Sequence, residues 1–119
     1  MILLIYGEDT FRARKTLVAT RKRFLAQRDP GGLNVVSLSF VHDSVDRTCQ
    51  EFFASPFLAE KRLLVLEGFL GATAPEQEKL RLAIEHKPES TVVVFFEDSG
   101  AESLTHAPLF SLLRGQKYS

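Results

Sequence analysis

Residues 54–70 read Ala-Ser-Pro-Phe-Leu-Ala-Glu-Lys-Arg-Leu-Leu-Val-Leu-Glu-Gly-Phe-Leu, and the unbroken apolar run Leu63 to Leu66 inside them decides the fold class. Bounded by Arg62 and Glu67, it is too short for a helix of its own. It reads as a strand of a sheet covered on both faces. The connector in front of it is the anomaly: Pro56 stops whatever precedes it, and Phe57 and Leu58 then place two large apolar side chains where backbone usually stays at the surface.

Working outward, the same type of run recurs at Ile2 to Tyr6, closed by Gly7, at Leu33 to Leu38, and at Thr91 to Phe96. Between these runs the apolar period lengthens to that of helices. One helix runs from Asp9 or Thr10, either a suitable N-cap, to about Gln27. Ala13, Leu17, Thr20 and Phe24 form its stripe, with Phe11, Val18 and Leu25 beside it; Asp29-Pro30-Gly31-Gly32 ends it. Asp43 or Ser44 caps a second helix through Val45, Cys49, Phe52 and Phe53. Ala74-Pro75-Glu76 opens a third, carrying Leu80, Leu82, Ala83 and Ile84. Leu104 to Arg114 forms a last helix ending at Gly115.

Strands alternating with helices predict parallel crossover units: an open α/β sheet of four to five strands with helices on both faces, in one domain spanning 1–119. Gln116 to Ser119 reads as the start of a further strand, which marks the chain as a domain excised from a longer one. With 45% hydrophobic and 25% charged residues, 119 residues suffice for one core.

The formal net charge is zero, so no global field draws the protein to nucleic acid or to an acidic membrane. The balance is uneven along the chain. Residues 1–42 hold seven of the fifteen basic groups and three of the fifteen acidic ones. Arg14, Arg21 and Arg28 repeat every seven residues along the first helix, and Arg12, Lys15, Lys22 and Arg23 lie around its other side. They either solvate that helix or offer a salt-sensitive contact to nucleic acid or protein. Cys49 is the only cysteine, so the chain has no internal disulfide and no thiolate cluster, as in a reducing cytosol. No segment has the length of a membrane span and the first apolar run is too short for a signal core; a cytoplasmic protein with no membrane partner is expected.

Catalytic patterns are few. Glu8 and Asp9 follow the first strand, Glu67 ends the third, and Glu97 and Asp98 end the fourth, all at the carboxyl edge where open α/β sheets bind ligands. Two readings follow: a divalent-metal site for phosphoryl transfer built on Glu8, Asp9, Glu67 and Glu97, or helix caps and solvated loop acids. The phosphate-loop pattern fails, since counting from Gly7 its second glycine falls on Arg12 and its lysine on Ala13. In Leu63-Leu64-Val65-Leu66-Glu67-Gly68, Glu67 stands where a magnesium-binding Asp would follow the strand. His42, His86 and His106 lack metal-ligand spacing, and Ser99 is a turn residue. No catalytic residue, metal or cofactor is assigned.

Ile-Tyr-Gly-Glu-Asp-Thr-Phe at 5–11, Ser-Pro-Phe-Leu-Ala-Glu-Lys-Arg-Leu-Leu-Val-Leu-Glu at 55–67 and Thr-Val-Val-Val-Phe-Phe-Glu at 91–97 together resemble the N-terminal domain of the delta subunit of bacterial DNA polymerase III. The resemblance implies an AAA+-type domain without ATPase motifs, in a non-catalytic clamp-loader subunit of a DNA-directed DNA polymerase complex. Its implied partners are the sliding clamp (the polymerase beta subunit) and the other clamp-loader subunits, delta prime and gamma/tau. DNA would be met only through the assembly. The implied clamp contact is an apolar pair between the second helix and third strand: Phe57 and Leu58, led in by Ser55 and Pro56, with Phe53 as a flank. Many relatives carry a second aromatic at the position of Leu58, and the clamp-binding pattern beginning with Gln does not fit Gln50. From the residues alone, Phe57 and Leu58 either face a partner or fold back under the sheet edge.

Overall fold

In a computed structural model, residues 1–114 are described. Four strands, β1 (Ile2–Tyr6), β2 (Val35–Ser39), β3 (Arg62–Glu67) and β4 (Thr91–Glu97), make one sheet in the order β1-β4-β3-β2, with every pairing parallel. β3 and β4 occupy the centre because their residues are apolar on both faces. Leu64 lies opposite Val93 and Leu66 opposite Phe95 in the ladder.

Alternation along these strands splits the core in two. Leu4, Leu64, Leu66, Val93 and Phe95 meet Phe52, Phe69, Leu80, Leu109, Phe110 and Leu113 on one face. That face carries α2 (Val45–Glu51), α3 (Ala74–His86), α4 (Ala101–Leu104) and α5 (Pro108–Arg114). Ile5, Leu63, Val65, Val94 and Phe96 meet Ala13 and Leu17 of α1 (Thr10–Arg28) on the other. The result is a three-layer α/β/α domain.

The caps follow the sequence closely. Asp9 accepts from the Arg12 amide and Ser44 from the Arg47 amide. At α3 the cap is Thr73, in a reciprocal box with Glu76. Gly68, at φ 83°, turns the chain from β3 into a short 3-10 turn, Phe69–Gly71.

Four expectations are corrected. The single helix over Leu104 to Arg114 is two, because Pro108 has no N–H to donate and suits only a first turn. The second strand begins at Val35, leaving Leu33 exposed before it. Phe11 and Val18 on α1 are exposed, since the stripe of Ala13 and Leu17 is the part that meets the sheet. Leu82 of α3 is exposed as well. The expected stop at Gly115 and strand at 116–119 lie outside the described residues.

Candidate functional site

The two ends of the sheet differ. At the carboxyl end the five acids lie on the expected loops: Glu67, Glu97 and Asp98 border one cleft, and Glu8 and Asp9 lie outside it. Asp9 caps α1, and Glu67 is paired with Arg14 at 2.8 Å. Glu97 turns inward to accept from the Leu70 amide. Among the described residues no three His, Cys, Asp or Glu side chains are placed to hold a metal ion, which overturns the metal-site reading of Glu8, Asp9, Glu67 and Glu97. At the crevice between β1 and β4, where the loops leave for opposite faces, the two loops are bonded to each other. The Gly7 amide, which a phosphate cradle would present, donates to the Ser99 carbonyl at 3.0 Å. Gly100 leaves room against the Glu8 side chain that a Cβ would fill.

Glu97 lines a cleft of about 220 Å³ with Ser39, Val41, Glu67, Gly68 and Asp98. Burial pushes its carboxyl up to about 7; the Leu70 and Gly68 amides oppose the shift, and Asp98 and Glu67 add to it.

At the amino end lies the connector 52–61. Phe57 is 59% exposed and Leu58 87%, so both side chains point away from the core. Ser55 is exposed and Pro56 half-buried. Phe53, also exposed, lies apart in a groove between α2 and α3 with Cys49, Leu82 and His86. Burial pushes the Cys49 thiol up, away from thiolate reactivity.

The connector itself is held firmly. Buried Arg62 donates to the Glu51 carbonyl at 2.6 Å and to its carboxylate at 2.8 Å. The Thr91 hydroxyl donates to the Phe52 carbonyl, and Lys61 to the Glu89 carbonyl. In the middle, the Phe57 amide donates to Asn34 Oδ1 at 2.5 Å, and Asn34 Nδ2 donates to the Phe57 carbonyl at 2.8 Å. Leu58 then takes φ 52°, a left-handed conformation uncommon for a branched apolar residue.

Sequence reasoning did not single out Asn34, Asp29 or Leu33. Asp29 is buried and accepts from the Leu33 amide, the Asn34 amide and Asn34 Nδ2. Burial would raise its pKa, but these bonds outweigh it and hold the carboxyl below its ordinary value. Exposed Leu33 sits beside this network and widens the apolar surface at the same end of the sheet.

The arginine row of α1 is engaged within the chain. Arg14 pairs with Glu67 and lies over the Phe96 ring at 4.4 Å, Arg21 donates to the Ser37 hydroxyl, and Arg28 is 4.0 Å from Glu60.

No protein-family model matches the chain, and no curated protein matches it in sequence. Among solved structures it is similar to the DNA clamp loader delta protein (YqeN) of Bacillus subtilis, with 21% identity and a TM-score of 0.63. The match covers 89% of this chain and 34% of that one, so the chain spans about a third of that protein's length and shares the fold of that part.

Proposed function

We propose that this chain is the N-terminal, AAA+-like domain of a clamp-loader delta subunit, which binds the sliding clamp and helps open it for loading onto primed DNA. The observation that carries this reading is the outward pair Phe57 and Leu58 on a connector fastened at both ends and in the middle. A rigid turn presenting two apolar side chains loses little entropy on docking, and burying each contributes about 1.5–3 kcal/mol. Ser55, Pro56 and Leu33 border that contact, and Phe53, in the α2/α3 groove, is a separate flank. The work asked of the domain is to grip and to wedge. ATP turnover falls to other subunits, delta prime and gamma/tau are further partners, and DNA is reached through the cytoplasmic assembly. The similarity to a clamp loader delta protein supports the reading through the shared fold.

The test is calorimetry with the purified sliding clamp of the same organism. The double substitution Phe57→Ala and Leu58→Ala should weaken binding by roughly 100-fold or more. The melting temperature should stay close to that of the parent, because both side chains are exposed. Unchanged affinity with an intact fold refutes the proposal.

A further inference from the structure

We infer that Asn34 is the positioning residue of the docking turn: its carboxamide, oriented by Asp29, holds Phe57 by both backbone groups and so presents the Phe57 and Leu58 side chains to the clamp. This inference rests on the proposed clamp-binding reading and deepens it.

The chemistry fixes the orientation of the amide. Asp29 is a carboxylate that only accepts, and its Oδ1 faces Asn34 at 3.2 Å, so the group pointing there is the donor Nδ2. Oδ1 of Asn34 is thereby turned to the Phe57 amide, while Nδ2 also reaches the Phe57 carbonyl. The side chain thus imitates a peptide group of a neighbouring strand and pairs with one residue of a connector that has no ladder of its own. Asn34 is 3% exposed, so water does not replace these bonds cheaply.

Asn34 is itself anchored by both of its backbone groups. Its backbone amide donates to Asp29 Oδ2, and its carbonyl accepts from the Leu63 amide at the start of β3. The clip therefore ties Phe57 to the central sheet through the first pairing of β2 with β3. Immediately after the clipped residue, the backbone enters the left-handed region at Leu58. A left-handed backbone at a branched apolar residue persists only where its surroundings enforce it, and the two bonds to Phe57 lie one residue away. Freed of them, the turn would relax and the pair would no longer be presented together.

The experiment is a double-mutant cycle on the 119-residue chain, with the same sliding clamp as probe. Asn34→Ala should weaken clamp binding roughly tenfold in the parent, and should cost nothing further when Phe57→Ala and Leu58→Ala are already present. Amide exchange of Phe57, read by NMR on the free protein, should speed up by at least about tenfold while exchange within β3 and β4 is unchanged. If Asn34→Ala does not fold, Asn34→Ser keeps a polar atom in the buried space and is read by the same two measurements. Additive losses across the cycle, or slow Phe57 exchange in the variant, overturn the inference. Should the Phe57 and Leu58 substitutions themselves leave affinity untouched, the docking reading fails instead, and the Phe57 exchange rate still reports on the clip.

Discussion

Glu97 shows how an acid at the carboxyl edge of a parallel sheet can serve a structural use. It ends β4, is buried, and accepts from the Leu70 amide at the start of the 3-10 turn, so it joins two loops instead of facing a ligand. With its carboxyl pushed up to about 7 from an ordinary 4.5, the folded state holds this proton more tightly than the unfolded state does. That contribution is complete below the unfolded value and is lost as pH rises through about 7. The melting temperature should therefore decline between about pH 5 and pH 8, and Glu97→Gln should flatten that decline, as a pair of thermal melts across the range will show. A parallel decline in both proteins would assign the effect to other groups.

At the scale of elements, β3 and β4 carry the core, and α3 is fastened by its Thr73–Glu76 box. Phe95→Ala removes a fully buried ring opposite Leu66 and should cost about 3–5 kcal/mol in urea unfolding. Thr73→Ala should cost only about 1 kcal/mol, because it removes a cap and leaves the packing intact. These three elements are also the most legible ones. Arg62–Glu67 and Thr91–Glu97 announce themselves as apolar runs, and the Ala74-Pro75-Glu76 opening needs only the rule for first turns. The break at Pro108 could have been read by the same rule, but the apolar spacing of Leu104 to Leu113 masked it. Asn34 could not be read locally at all. Its partner is 23 residues away, and nothing in Leu33-Asn34-Val35 distinguishes a clip from a turn residue. The exposure of Phe57 and Leu58 was likewise undecided by sequence, since it depends on where the connector is pinned and not on what it contains.

For the whole molecule, the contrast between the two ends of the sheet matters most. At the carboxyl end Glu67 is paired with Arg14, Glu97 is turned inward to the Leu70 amide, and the Gly7 amide is bonded to the Ser99 carbonyl. The amino end offers apolar surface on a fixed frame. A domain built this way should bind its partner with little dependence on ionic strength. Raising salt from about 50 to about 200 mM should change clamp affinity by less than about threefold, whereas an interface tracking 6–10 phosphates would lose roughly 10³–10⁵-fold. Titrations at the two salt concentrations separate these cases directly.

The strand order has a temporal side too. β1 is made before the other three strands, yet among the described residues its neighbour in the sheet is β4, whose last residue follows Tyr6 by some ninety positions. At roughly 5–20 residues per second, the apolar segment Ile2 to Tyr6 waits on the order of 5–20 s of synthesis before its hydrogen-bonding partner exists. Until then β2 and β3 can pair without it, and Ile2 to Tyr6 stays an apolar segment with an unfilled hydrogen-bonding ladder.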